Sequence, residues 1–550
     1  MNPFWKGGTP WIWLTGGAVT ISMIMVFGLL LLILVRGFGT FWPHAVLQTT
    51  YTLPGAEPVV VVGELRRSET LTAQTMRDAG VPLPEEQALV TRHLIKMGNR
   101  DVTHRDFGYF LDDFMEPWQY PREIAVLERR EWGDFYGTPQ RLLEAGEVVA
   151  MGEALWPDFQ ARLKRSNALF DEIRGIERGA IGNINFAIER VRLDRRRAEL
   201  RGQLTPELEA SLAQRLEALQ ADYRVLETRL NQLYADAARD SIVMRVADGR
   251  EVTVRLADIV KAWQPNSMSL GAKIWFYVKD FFDFIFGYPR EANTEGGIFP
   301  AIFGTVTMVL VMSILVTPFG ILAAIYLREY AKQGPLLRTI RISVYNLAGV
   351  PSIVFGVFGL GFFVYMLGGA VDRTFFPEAL PAPTFGTPGL FWASLTLALL
   401  TLPVVIVSTE EGLARIPSTI REGSLALGAT KAETLWRVVV PLATPAMMTG
   451  LILAIARAAG EVAPLMLVGV VKLAPTLPID GNFPFIHLER KIMHLGFHIY
   501  DVGFQSPHAE AAEQLVYATA LILVILIVVL NLTAITIRNH LREKFRAESD

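Results

Sequence analysis

Six apolar runs, each long enough to cross a hydrocarbon layer of roughly 30 Å, constrain this chain more than any other feature. Half of its 550 residues are hydrophobic, 51% in all, and they are bunched instead of spread through several soluble cores. The first run has "ISMIMVFGLLLLILV" at its centre and spans about Trp11–Val35. No small-residue cleavage site follows it in "RGFGTFWP", so it is expected to stay as an anchor and not to leave as a signal peptide. The other five are expected near Ile302–Leu327, Ile342–Leu367, Leu390–Ser408, Ala446–Val471 and Leu515–Ile537.

Basic residues in short loops set the expected orientation, because Lys and Arg collect on the cytoplasmic side. "LREYAKQGPLLRTIR" carries Arg328, Lys332, Arg338 and Arg341, and "RNHLREKFR" carries Arg538, Arg542, Lys544 and Arg546. The loop "GGAVDRTFFPEALPAPTFGTP" is poor in basic residues and rich in proline. Together with Lys6 ahead of the first span, this predicts cytoplasmic termini and a periplasmic location for residues 37–300, in a bacterial inner membrane. The domains expected are 1–36 (N-terminus and first span), 37–300 (an insert) and 301–550 (five spans with a cytoplasmic loop near 410–445). A net charge of −3 implies no polyanion partner, and the absence of cysteine excludes disulfides, thiolate catalysis and cysteine metal sites.

The insert has three textures. To about Gly152, β-rich runs such as "EPVVVVGEL" alternate with aromatic, charged stretches. From about 157 to 240, apolar residues three and four apart predict an antiparallel helical hairpin, broken at "RGQLTP", where Thr205 and Pro206 suit an N-cap and first turn. "IVMRVADGREVTVRL" then alternates about an Asp248-Gly249 turn, predicting a β-hairpin. "AKIWFYVKDFFDFIFGYP" reads either as an aromatic helix at the membrane surface or as one packed on that hairpin. The basic run "RVRLDRRRAEL" sits among acids and reads as a solvated helix face, with no nucleic acid implied.

"REGSLALGATKAETLWRVVVPLATPAMMTG" interrupts the apolar pattern with a charged, helix-forming segment. Pro417 suits a first helical turn and Gly428 a terminator, while Thr430 and Glu433 form a capping box for a second helix expected to stop before Pro441. Two short helices at an angle are more than a connector needs; they make a knob for a partner to grip. The fifth span carries Arg457 and Glu461 about midway, four apart on one face that Gly450 and Ala454 continue. Pro464 removes the donor that would bond Gly460, predicting a kink beside Glu461. Charge is costly there, roughly 2.5–3.5 kcal/mol for Arg on insertion scales, so the pair is either a self-neutralising packing element or a site on a transport path. Arg offers a planar fork of donors suited to phosphate-like oxyanions. His494 and His498 have a spacing compatible with metal but lack a third ligand beyond Glu489, and "FIHLERKIMHLGFHIY" is expected to be an interfacial amphipathic segment with no metal bound. No nucleotide-binding G-x-x-x-x-G-K-[ST] is present.

The knob resembles the EAA motif of ABC-transporter permeases, with Glu422, Gly423 and Ser424, then Gly428, then Val438, Val440 and Pro441 in register, and Arg421 just ahead. Gly423 replaces the usual Ala, and Val the usual Ile and Leu. "GGIFPAIFGTV", "GVPSIVFGVFGL", "SLALGATK" and "RAAGEVAPL" together resemble the phosphate-specific (Pst) ABC permeases, the A-type subunit (PstA) more than the C-type (PstC), over the first span and from Gly296 onward. The resemblance implies an α-helical membrane protein with a type I importer core and an α+β insert, acting as a phosphate permease and not as an enzyme. It implies a sister permease (PstC-like), two ATPase subunits (PstB-like) holding ATP and Mg, a phosphate-binding protein (PstS-like) and membrane lipid as partners. Arg457 and Glu461 would line the substrate path, and no cofactor would bind this chain. A permease for another oxyanion, such as sulfate or molybdate, and a phosphate-sensing scaffold are the rival readings. The large insert departs from the common subunit, which is much shorter.

Overall fold

The fold comes from a computed structural model that describes residues 9–290, 295–505 and 509–547. Lys6 and the side chains of Arg542, Lys544 and Arg546 lie outside the described residues. Contacts group the chain into two units, one of residues up to Thr40, Ile285–Pro289 and everything from Ile298, the other of Phe41–Phe284 and Arg290–Gly297.

The first unit opens with α1 (Thr9–Gly39). It packs on the last helix through Gly37, where a Cβ would come within 2.8 Å of the Leu521 side chain.

Two larger antiparallel sheets build most of the second unit. One has the order β1-β2-β3-β4, formed by Val46–Tyr51, Val59–Thr72, Leu89–Lys96 and Phe107–Leu111. The other has the order β10-β5-β6-β8-β9 with β7 also on β6, built from β5 (Ala125–Arg129), β6 (Asp134–Glu144), β7 (Glu147–Met151), β8 (Asp240–Arg245), β9 (Glu251–Arg255) and β10 (Ile259–Trp263). The β8–β9 turn has Gly249 at φ 85°, a left-handed conformation that favours glycine. Between β7 and β8 rises the helical hairpin: α2 (Leu155–Arg174), a π stretch over Gly175–Ile181, α3 (Gly182–Leu200) and α4 (Pro206–Ala237). Thr205 caps α4, accepting from the Leu208 N–H. Leu155, Phe159 and Leu163 of α2 close over the second sheet onto Phe135, Leu142, Ile242 and Met244. Farther along, Ile173, Leu233 and Ala237 form the seam of the hairpin. After β10 comes α5 (Leu270–Phe286), all but the last two residues of which belong to this unit.

The rest of the first unit is helical. It comprises α6 (Phe299–Ile325, running on as a π turn over Tyr326–Tyr330), α7 (Pro335–Leu347), α8 (Ser352–Phe375), α9 (Leu390–Ala414), α10 (Ser418–Ala426), α11 (Lys431–Gly460), α12 (Leu465–Val468), α13 (Leu495–Gln505) and α14 (Ala509–Ala547). Among the described residues, six helices are long and apolar enough to cross a membrane: α1, α6, α8, α9, α11 and α14. The α9 helix is the centre of the bundle, packed on α6 and α11 through Met308, Met312, Val316, Leu397, Val405, Ala454 and Ala458.

Two spans differ from expectation. The third begins at Ser352, not near Ile342, because Gly349 and Pro351 end an amphipathic α7 first. The fifth is α11, which runs unbroken from the knob to Gly460 and stops there. Pro441 does not end it. A π turn over Leu435–Val439 lets the Val440 N–H reach the Leu435 carbonyl five residues back and puts Pro441 in the first turn of the α-helical stretch.

Candidate functional site

Two places in the first unit carry the residues singled out from sequence. At the knob, Pro417 precedes α10, and Gly428 at φ 88° reverses the chain after it. Thr430 and Glu433 complete the capping box, the Thr430 hydroxyl accepting from the Glu433 N–H and the Glu433 carboxylate accepting from the Thr430 N–H. Ser424 Oγ and Thr434 Oγ1 meet at 2.8 Å and tie the two arms together. Glu422 and Gly423 face solvent, and a Cβ on Gly423 would meet nothing within 4 Å, so its smallness answers to nothing inside the chain. Leu427 at the tip is 91% exposed.

Arg421 anchors the knob from behind. Its guanidinium donates to the Ile416 carbonyl (2.7 Å), the Leu413 carbonyl (2.8 Å) and Glu329 Oε1 (2.9 Å) at the end of α6. Lys431 donates to the Glu329 carbonyl (2.5 Å) and lies over the Tyr330 ring at 4.8 Å. Glu329 therefore joins the knob to α6, a role the sequence concealed because 92 residues separate it from Arg421.

The second place is the end of α11. Arg457 lies in the last turn, not midway, and Glu461 is the residue after the helix, with extended backbone at φ −79° and ψ 133°. The helix terminates where a kink was expected, because Pro464 cannot donate to Gly460. Arg457 Nε donates to Glu461 Oε1 across 3.5 Å, with the side chains 35% and 20% exposed. Behind the pair, Ala454, Ala458 and Ala459 are fully buried, and a Cβ on Gly450 would come within 2.7 Å of the Ser408 Cβ on α9.

Glycines bring distant segments onto this break. A Cβ on Gly356 would lie 2.7 Å from the Pro464 Cα, and one on Gly359 would lie 2.9 Å from the Val468 side chain, so "GVPSIVFGVFGL" packs directly on "EVAPL". Gly304 of "GGIFPAIFGTV" abuts the backbone of Met493. The Leu495 N–H donates to the Thr305 hydroxyl at 3.0 Å.

The histidine segment is packed inside the unit and does not lie along its surface as an amphipathic strip. His487, His494 and His498 are all buried, and among the described residues no three potential ligands gather into a metal site. His494 Nδ1 accepts from the Gly496 N–H at 3.1 Å, which puts the proton of the neutral ring on a buried Nε2 that has no hydrogen-bond partner among the described residues. Burial pushes the His494 imidazole down to about 4, and His498 likewise to about 4 with Lys472 adding to the effect. A Cβ on Gly496 would lie 3.2 Å from the His494 ring and 2.6 Å from the Val462 side chain, which places this imidazole near the α11 break.

Residues 316–547 match the family described as binding-protein-dependent transport system inner membrane component. The phosphate transport system permease protein PstA of Mycobacterium leprae is 39% identical over 194 residues, 35% of this chain and 58% of that protein. PstA 1 of Mycobacterium tuberculosis (strain CDC 1551 / Oshkosh) is 35% identical over 244 residues, 44% of this chain and 71% of that protein. PstA of Yersinia pestis is 32% identical over 246 residues, 45% and 74% respectively. Among solved structures, the inward-facing MetNI methionine ABC transporter aligns at 19% identity with a TM-score of 0.34 over 44% of this chain and 94% of its own, too weak a likeness to weigh. With the knob and the α11 break in place, these relatives identify a multi-pass membrane protein that belongs to the PstA family of ABC-transporter phosphate permeases.

Proposed function

We propose that this chain is the transmembrane permease subunit of an ATP-driven importer of inorganic phosphate. The observation that carries the reading is the Arg457–Glu461 pair at the end of α11, where "RAAGEVAPL" meets "GVPSIVFGVFGL" in a chain of this family. Among the described residues the Arg457 guanidinium makes one long hydrogen bond, which keeps donors available to an oxyanion. Glu461 holds the Arg457 rotamer, and accepts from the substrate when phosphate is protonated.

The knob docks on a separate ATPase, which holds ATP and Mg. Glu422, Gly423 and the exposed Leu427 form the contact surface, while Arg421, Ser424, Gly428 and Pro441 give it shape. The complex pairs this chain with a PstC-like sister permease, two PstB-like ATPases and a PstS-like phosphate-binding protein, in a bacterial inner membrane. Both termini and the knob face the cytoplasm, and the insert lies in the periplasm. The relatives disfavour sulfate or molybdate transport and a non-transporting scaffold.

Uptake of labelled phosphate tests this, in cells lacking their own phosphate importers and expressing the full complex. Saturable uptake that sulfate blocks poorly, and that Arg457→Gln abolishes while the ATPase still co-purifies, is the expected result. An assembled wild-type complex that carries no phosphate overturns the substrate, and a normally active Arg457→Gln overturns the site alone.

A further inference from the structure

The α5 helix is two-sided. One side belongs to its own unit: Phe276 packs on Trp263 with ring centroids 4.8 Å apart, and Asp280 pairs with Lys261. Tyr277, Phe281 and Phe284 surround Phe41 at 6.4, 5.3 and 5.3 Å. The other side is apolar and exposed. Leu270, Ile274 and Val278 follow one another at a spacing of four, Phe282 extends the row, and Trp275 beside it is 71% exposed. Lys279 and Asp283 stand at one rim of this face. Large apolar side chains grouped on one helix face mark a contact surface.

The chain itself indicates what covers that surface. Phe41, the residue around which the inner side of α5 is built, comes two positions after α1 ends at Gly39. At no more than about 3.6 Å per residue, those two positions keep the Phe41 backbone within about 7 Å of the Gly39 end of α1. Trp42, the next residue, packs on Tyr277 with centroids 6.1 Å apart. We infer that α5 lies in the bilayer interface, its Leu270–Ile274–Trp275–Val278 face sunk among lipid acyl chains and its Phe276–Asp280–Phe284 side holding the rest of its unit. A helix with aromatic and aliphatic residues on one face and charges at the rim is suited to that depth. Such a helix makes lipid part of the footing of the insert. The inference rests on α1 spanning the membrane, and it is independent of which solute the permease carries.

The absence of native cysteine makes the test direct. Single cysteines at Ile24, Ile274, Val278 and Val225 are nitroxide-labelled in the full chain, assembled with its partners in phosphatidylcholine nanodiscs. All four positions are exposed, so the label replaces no packing. Ile24 on α1 reports the bilayer, and Val225 on α4 reports water. Collisions with dissolved oxygen are expected to exceed those with a water-soluble nickel chelate several-fold at Ile24→Cys, Ile274→Cys and Val278→Cys, with the ratio reversed at Val225→Cys. Nickel access at 274 and 278 equal to that at 225 overturns the inference. Exclusion of both reagents overturns it too, since a protein then covers the face. If Ile24 fails to report lipid, the membrane reading of α1 falls first.

Discussion

Glu128 and Glu461 are both carboxylates beside an arginine, and they keep different company. Glu128 Oε2 takes Lys261 at 2.8 Å and the other oxygen takes Arg290, while Lys261 also holds Asp280. Burial opposes ionisation of Glu128, but Lys261 and Arg290 outweigh it and hold the carboxyl well below its ordinary range. Glu461 has one arginine, across 3.5 Å, and that arginine is 35% exposed. In the insert unit a buried charge is saturated by its neighbours and serves the fold. In the permease unit Arg457 has, among the described residues, only the long bond to Glu461, so its charge is far less saturated than that of Glu128.

Removing Glu128 sharpens the contrast most. Glu128→Gln leaves Lys261 and Arg290 short of charge in a buried place, and the expected loss is about 3–5 kcal/mol. It should show in detergent as an earlier melting step or as early proteolysis between residues 41 and 284. An unchanged melt would mean that the cluster is not the anchor its geometry implies.

Two buried histidines give the permease unit its own dependence on pH. The folded His494 and His498 titrate near 4 against an ordinary 6.5. A depressed folded value means that stability is complete above 6.5 and lost as pH falls towards 4, because only the unfolded chain takes up the proton in that window. Each group contributes roughly 3 kcal/mol across it. Melting of the solubilised complex should fall between pH 6.5 and 4, and His494→Asn should flatten that fall. An unaltered slope in the variant would break the assignment.

Arg421 tests whether a saturated charge in the permease unit behaves like one in the insert. Arg421→Ala removes three hydrogen bonds and strands Glu329. The expected cost is about 1.5–3 kcal/mol, with ATP hydrolysis in the assembled complex no longer matched by uptake. Coupled, wild-type uptake would show that the knob holds its shape without this anchor. The smallest effect on stability belongs to Glu461→Gln, within about 1 kcal/mol, even as phosphate uptake falls. A large drop in melting temperature would instead assign the Arg457–Glu461 pair to packing.

The spans were legible because each one concentrates apolar residues over more than four turns, and the β8–β9 hairpin because Asp248-Gly249 is local turn chemistry. Reading failed where one signal had two uses. Pro441 and Pro464 look alike in sequence, yet a π turn absorbs the first and the second follows the end of the helix. The start of the third span was misplaced because the apolar residues of an amphipathic α7 blend into α8 across Gly349-Val350-Pro351. Arg457 and Glu461 stood out as charges in an apolar run. Glu329 did not, since its partner is distant in the chain and no periodicity connects them. The burial around His494 comes from distant segments, with Leu495 bonded to Thr305 and Gly496 set against Val462, which the local pattern cannot display.

The continuity of α11 has a mechanical consequence. Lys431 at the knob and Arg457 at the break sit on one unbroken rod, which at 1.5 Å per residue is about 39 Å long between them. A rod has no slack: tilting it by about 10° at the base would swing its tip by roughly 7 Å over that length. A push on the knob would therefore reach the arginine through one piece of chain, whose helix first breaks at Glu461.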